Sequence, residues 1–488
     1  MKREYPEGGR AFPNVIAKTN LKRKRNNTMI TKLLHQIWNE RKQNAWLFIE
    51  LIIASLFLWL ALDPLYTMIC RKNIPTGCDV SDVYLVELSH YKPGDTRCKP
   101  EYYLDSELHE SCRQAINIIR SMPEVENHTI TDYGNWPNSY MIGSSTYIAD
   151  SVDFEISGKS FEEIEKEVEE RKITPASIVR WQYNRTEGGS YPATFGIKDI
   201  HTGEHLNSNI SRYANGVYIS ENAATALFGT TDAAGKRFRD LYQGYEYQVA
   251  GVFKDVTLIQ YDEHLPLFIS ERGLTDDDFS STYNDVMTFL HIRVKKGVDK
   301  VEFEKRFREE IMPRLQIGNV YCKNITHHEK IARKYENMFG ITNKYRLCAG
   351  LSAFALFCAF LGLFSSFWIR TAERRGDIGI MRSIGASRSR IIRQFACEAL
   401  MLTTVAFAVA MPFVIHYLHI EGFADPLKQL AMISKSTNSA YLHNQPVTHF
   451  IVVSVATYIF MATIAVIGAV IPAWRTTRII PADALRDE

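Results

Sequence analysis

Two histidines four residues apart, His201 and His205 in the run HTGEH, have the spacing that can bring two imidazoles to one zinc ion. That chemistry stops short, because no glutamate follows the first histidine and Gly203 between them weakens any helix; a surface loop is the simpler reading. The run ISGKS, Ile156 to Ser160, offers a glycine and a lysine to a phosphate. A phosphate-binding loop, however, needs a further glycine five residues before Gly158, and Asp153 stands there, so ISGKS reads as a turn. His416 and His419, near the end of an apolar run, have the ring chemistry for sensing pH or holding a cation, although interfacial histidines usually do neither. Glu50 is an acid inside an apolar run, read here as a carboxylate that reaches the membrane interface or pairs with a neighbouring helix. Neither a nucleophile elbow nor a pair of catalytic carboxylates stands out. The expectation is a chain with no catalytic residue, no cofactor and no metal.

The most informative polar stretch is RTAERRGDIGIMRSIGASRSRIIRQFACEAL, which begins at Arg370. Ile378, Ile380, Met381 and Ile384 supply an apolar surface interleaved with Arg374, Arg375 and Arg382. Gly385 should end that helix and Ser387 should cap the next one. Such a segment suits docking to another protein, and it equally suits lying on anionic lipid. Composition leaves both open.

The elements that hold this stretch are legible from hydropathy. Ala45 to Leu62 is an apolar run with one charge, read as an uncleaved anchor because no small-residue cleavage site follows it. Leu347 to Ile369 is uncharged, and Phe395 to Tyr417 and Phe450 to Trp474 complete four spans. Glu398 and Pro412 lie near the two ends of the third. Between spans two and three, residues 370–394 carry seven arginines and two acids, whereas the 418–449 connection has two lysines and two acids. Up to Leu62 the chain has eleven Lys or Arg against four acids, and from Asp63 to Arg346 it has thirty-four against forty-three. The positive-inside rule then places the N-terminal region 1–44, the 370–394 loop and the 475–488 tail in the cytoplasm, and the 63–346 insert outside. A net charge of +2 gives no case for nucleic acid. Ahead of the first span, Met29 opens a second candidate start. There Ile30, Leu33, Leu34 and Ile37 share one face of an interfacial helix, with Lys32, Arg41 and Lys42 turned to headgroups.

The 63–346 insert is long and apolar enough to fold by itself, as one or two α+β subdomains. SFEEIEKEVEERKI, Ser160 to Ile173, reads as a charged surface helix with a serine start. The runs ATFGI, GVYIS, YQVAGVF and TFLHIRV read as strands, and Val301, Phe303, Phe307 and Ile311 have helical spacing. Cys78, Cys98, Cys112 and Cys322 all fall in the insert, where an oxidising compartment would permit disulfides that spacing cannot assign.

The stretch ERRGDIGIMRSIGAS, Glu373 to Ser387, resembles the MacB/FtsX-like permease family, whose loop between spans two and three has the form ERxxEIGIxRAxGAS. Asp377 and Ser383 depart mildly from that form. NGVYISENAATALFGTTDAAGKRF with the following YQVAGVFKDV looks like that family's periplasmic core domain, and PAWRTTRIIPADALRDE is similar to its closing segment. The resemblance implies four transmembrane helices with an α+β extracytoplasmic domain inserted between the first and second. It implies that Glu373, Arg374, Arg375, Asp377, Ile378, Gly379, Ile380, Arg382, Ile384, Gly385, Ala386 and Ser387 form a coupling segment that docks on an ABC ATPase carried by a separate chain. It also implies a second permease copy or a similar permease, an optional periplasmic adaptor or outer-membrane partner, and a bacterial inner membrane. Spans one and two would relay ATP-driven motion outward, for export or extraction of a peptide, lipoprotein or other hydrophobic substrate. The alternatives are a mechanotransmitting regulator or antibiotic-peptide sensor of FtsX-like type, and a membrane-anchored enzyme.

Overall fold

The computed structural model describes residues 41–102, 104–139, 143–155, 158–206, 209–257, 261, 264–273, 286–427 and 445–478. Met29 and the lead-in helix, the first two residues of ISGKS, most of the 418–449 connection and the tail beyond Arg478 lie outside the described residues. The described chain separates into two compact units. One is built on the long apolar helices and the other on the segment between the first and second of them.

The first helix, α1, runs from Arg41 to Lys72 and so continues well past the apolar run that ends at Leu62. Its last turn carries Arg71 and Lys72, cations that suit the negative end of a helix.

The sheet unit follows with β1 (Val83–His90), α2 (Asp105–Arg120), β2 (Val125–Thr131), β3 (Ser144–Ala149), α3 (Phe161–Glu170) and β4 (Ala176–Arg185). Next come α4 (Tyr191–Phe195), β5 (Gly216–Ser220), α5 (Glu221–Phe228), β6 (Arg237–Asp240), β7 (Glu246–Phe253) and β8 (Leu267–Gly273). It closes with β9 (Thr288–Val294), α6 (Lys300–Arg306), β10 (Val320–His327) and α7 (His328–Met338). The strand order β10-β1-β9-β2 with α2 and α6 as crossovers is the split βαβ, ferredoxin-like arrangement. Inserted between β2 and β9, the strands β4-β3-β6-β7-β5-β8 close into a ring because β8 pairs parallel to β4. Separate apolar cores serve the two parts: Val86, Ile292, Ile119 and Phe303 fill the first, and Val217, Val249, Phe238 and Phe268 fill the ring.

GVYIS, YQVAGVF and TFLHIRV are strands β5, β7 and β9. ATFGI is not a strand. Ser190 accepts from the Ala193 N–H, Pro192 sits in the first turn and the chain turns out at Gly196, so the segment is the short helix α4. Ser160 starts α3 through a reciprocal capping box with Glu163. Val301 does not share the face of Phe303 and Phe307; it is 79% exposed while they are buried. Two residues are roughly half a helical turn, so Val301 and Phe303 must diverge, whereas a four-residue step keeps Phe303 and Phe307 together. Cys78, Cys98, Cys112 and Cys322 are not joined in any disulfide. Cys112 on α2 lies 3.4 Å from the Thr288 hydroxyl and Cys322 on β10 faces the Asn324 carbonyl, so the disulfides considered for the insert are not formed, and burial pushes both thiols up to about 12. His201 and His205 lie in a turn closed by Asp199, whose carboxylate accepts from the His201 and Thr202 N–H groups. Among the described residues no cluster of three His, Cys, Asp or Glu side chains could hold a metal.

One buried pair in this unit gives a pH dependence. His291 on β9 and His328 at the start of α7 are fully buried, with Nδ1 and Nε2 2.9 Å apart, and the Thr131 hydroxyl lies 3.0 Å from His291 Nε2. Burial pushes His328 down to about 3 and His291 well below its ordinary value. The unfolded chain takes up these protons near pH 6.5 while the folded chain refuses them, so stability is complete above that pH and falls as pH drops toward 3. Between pH 6.5 and 5, where most carboxylates are still charged, thermal melts of the full chain should show a falling Tm that flattens in the His291→Gln/His328→Gln double variant. A Tm equally steep in both chains would remove the histidine pair as its cause.

The helical unit adds α8 (Ile341–Glu373), α9 (Arg375–Ser383), α10 (Arg388–Glu421) and α11 (Pro446–Thr476). The four helices α1, α8, α10 and α11 are long and apolar enough to cross a membrane. Leu51 and Leu58, Leu363 and Phe367, Ala406, and Met461 make their shared core. Polar bonds tie them crosswise: Ser366 donates to Glu50 at 2.6 Å, Ser352 to the Ala61 carbonyl at 2.6 Å, and the Trp59 N–H to Ser454 at 3.1 Å. Glu50 thus pairs with a neighbouring helix. His416 and His419 are exposed on α10.

Candidate functional site

Arg374, with φ −91° and ψ 28°, breaks the path between α8 and α9, so the short basic helix leaves its predecessor at an angle set by one residue. At the far end Gly385 adopts φ +91°, a conformation that L side chains rarely take, and Ser387 accepts from the Arg390 N–H to start α10. The stop and start expected from Gly385 and Ser387 are therefore where the sequence placed them.

The four apolar residues of the stretch divide between two faces. Ile378 is buried against Ile391, Phe395 and Ala473, with Met381 and Ala386 at the edge of that cluster. Ile380 and Ile384 point the other way, 49% and 80% exposed. Glu373, Arg375, Asp377, Ser383, Gly385 and Ser387 are exposed as well, Arg382 is half-buried and Gly379 is buried. The segment therefore has an inward face fixed to α10 and α11 and an outward face of isoleucine surrounded by charge.

Glu398 on α10 organises the inward side, and it is the residue sequence reasoning missed. Its carboxylate takes Arg370 at 2.5 Å and both oxygens take Arg374, at 3.0 and 2.8 Å, while Glu398 is only 4% exposed. Arg374 also lies over the Phe395 ring at 4.9 Å and reaches Asp377 at 3.2 Å. One guanidinium does all three, with Nη1 donating to both Glu398 oxygens, Nε to Asp377 and the group lying over the ring. The signal was present as an acid near the start of an apolar span. Its partners, however, lie 24 and 28 residues upstream, beyond any local spacing rule.

The FtsX-like permease C-terminal family model matches residues 349–481, a range that contains this whole site, and the MacB-like periplasmic core domain model matches residues 106–310. The chain belongs to the MacB/FtsX-like permease family. Among curated members, the macrolide export ATP-binding/permease protein MacB of Neisseria gonorrhoeae is 24% identical over 226 residues, 46% of this chain and 33% of its own. An uncharacterized ABC transporter permease of Bacillus subtilis, YknZ, is 23% identical over 197 residues, 40% of this chain and 46% of its own. The chain thus spans about a third to a half of the length of these relatives. The periplasmic region of MacB from Actinobacillus actinomycetemcomitans is similar at 14% identity and TM-score 0.28, covering 54% of this chain and 95% of that one. The extracellular domain of the Gram-positive YknZ transporter gives 14% and 0.27, over 49% and 100%. Within this MacB/FtsX-like chain, the core-domain motif has a clear structural use: Asp255, the acid that ends it, accepts from the Asn222 N–H at 2.9 Å and so holds a carboxylate at the start of α5.

Proposed function

We propose that this chain is the membrane subunit of an ABC-type machine of a bacterial inner membrane, and that α9 is the element on which a separate ATPase seats. One observation carries the reading: α9 turns Ile380 and Ile384 outward among arginines while Ile378 is fixed inward, so an apolar docking surface stands on a rigid mount. An interfacial lipid helix would need no such mount, since its apolar face is buried by the bilayer itself. The arginine excess of the loop supports a cytoplasmic position, where ATP is. Two permease copies, or this chain and a similar one, complete the pair that a two-fold ATPase dimer requires. The core domain outside then receives the motion and acts on a peptide, lipoprotein or other hydrophobic substrate, with a periplasmic adaptor or outer-membrane protein as a further partner.

Ile384→Asp in the full chain should weaken its complex with its ATPase subunit by about tenfold or more, since a charge replaces an apolar anchor in a desolvated contact. Permease-dependent ATP hydrolysis should fall with it. Pull-down and titration with the purified ATPase measure the first, and phosphate release the second. Unchanged values for both would refute docking through α9.

A further inference from the structure

The geometry points to Glu398 as the residue that gears α9 to the membrane helices, a positioning role that rests on the docking reading above. The backbone alone does not transmit the motion of α9 well. Helix α8 ends at Glu373 and α9 begins at Arg375, with the non-helical Arg374 as a swivel between them. Glu398 bridges that swivel from a third helix by holding Arg370 in the last turn of α8 and Arg374 at the start of α9. The cavity beside the cluster, lined by Phe367, Thr371, Phe395 and Ala399, has a volume of about 10 Å³, room for no more than one water. Poorly solvated charges held at these distances resist separation far more than surface pairs do.

The same base is packed as well as charged, because Ile378 of α9 lies against Ile391 and Phe395 of α10 and Ala473 of α11. A push on α9 is therefore delivered first to spans two, three and four. Span one contributes no residue to this cluster or to the Glu398 bridge among the described residues. That differs from a relay through spans one and two alone.

Arg374 has a second acid within reach, Asp377 on α9 itself, half-exposed at 3.2 Å. If Glu398 is neutralised, Arg374 keeps a partner on its own helix. Docking and gearing should then come apart, which a merely structural role for Glu398 would not allow.

The test uses the full-length chain with its ATPase in lipid nanodiscs and compares wild type with Glu398→Gln and Glu398→Asp. For Glu398→Gln the expected result is a Kd for the ATPase within about twofold of wild type, an unchanged KM for ATP, and a permease-dependent kcat lower by about tenfold, a typical coupling factor. Glu398→Asp, which keeps the charge but shortens its reach, should recover part of that kcat. Wild-type kcat in Glu398→Gln would overturn the proposal, and so would loss of Kd, KM and kcat together, which would mean structural support only. If Glu398→Gln fails to fold, Glu398→Asp decides: reduced kcat at unchanged Kd supports gearing, and wild-type kcat overturns it. An ATPase that does not bind the wild-type chain would instead remove the docking reading, and the gearing with it.

Discussion

Asp63→Leu should destabilise the helical unit by about 3–5 kcal/mol, the usual cost of removing one member of a buried ionisable pair. Asp63 is 1% exposed and His449 is fully buried, and one carboxylate oxygen meets His449 Nε2 at 2.7 Å. The other oxygen accepts from the Ala424 N–H at 2.8 Å. The rings of Tyr66 and Phe423 stand 4.8 and 4.5 Å from the imidazole and leave it little access to water. The single variant therefore strands an imidazole nitrogen and a backbone donor in an apolar setting. In Asp63→Leu/His449→Leu the imidazole is gone too and the rings have an apolar neighbour, so more than half of the loss should return. Thermal unfolding in detergent of the two single variants, the double variant and wild type gives the coupling directly. Strictly additive losses, or a single-variant loss below about 1 kcal/mol, would mean the pair is not a buried tie.

This tie also shows what hydropathy leaves unread. The four spans follow from composition because a helix in hydrocarbon must be apolar over its whole length, and that signal is local. Asp63 reads as the first residue outside the membrane because it follows the last apolar residue of the run. The helix instead continues to Lys72 and buries Asp63 against His449, a partner far along the chain. Glu398 is the same case at the other end of the bundle. The stop after α9 and the start of α10 were legible from Gly385 and Ser387, whose conformational preferences act within a turn, whereas the break at Arg374 was not. What the pattern did not separate was the inward Ile378 from the outward Ile380 and Ile384, because arginines interleave both faces and blur the period. In the sheet unit, strands with alternating or continuous apolar runs were readable. ATFGI was not, because the cap at Ser190 and the turn at Gly196, not the apolar pattern, decided the outcome. The ring closure by β8 against β4 joins residues such as Val179 and Leu267, a pairing that no sequence spacing announces.

Gly77→Ala should cost the sheet unit about 4 kcal/mol, whereas Gly94→Ala should cost about 1 kcal/mol, although both glycines have positive φ. The difference lies in the space around them. A Cβ on Gly77 would stand 1.9 Å from the Asp255 carbonyl oxygen and 2.8 Å from its carbon, whereas a Cβ on Gly94 meets nothing within 4 Å. Backbone has to move to relieve the first contact, and it is poorly placed to do so. The Thr257 N–H donates to the Thr76 carbonyl at 3.0 Å, His264 Nε2 lies 2.7 Å from the Pro75 carbonyl, and the Asp79 N–H donates to the Phe195 carbonyl at 2.9 Å. Asp255 is held from its other side by the Asn222 N–H, so a shift at residue 255 also disturbs the start of α5 in the core-domain motif. Both variants carry a left-handed penalty, at φ +69° for Gly77 and +97° for Gly94, and only Gly77→Ala adds the overlap to it. Urea unfolding of the full chain in detergent, followed by the fluorescence of the buried Trp136 and Trp181, measures both. Equal losses for the two variants would mean that the 75–79 segment yields freely and does not clamp the end of the motif.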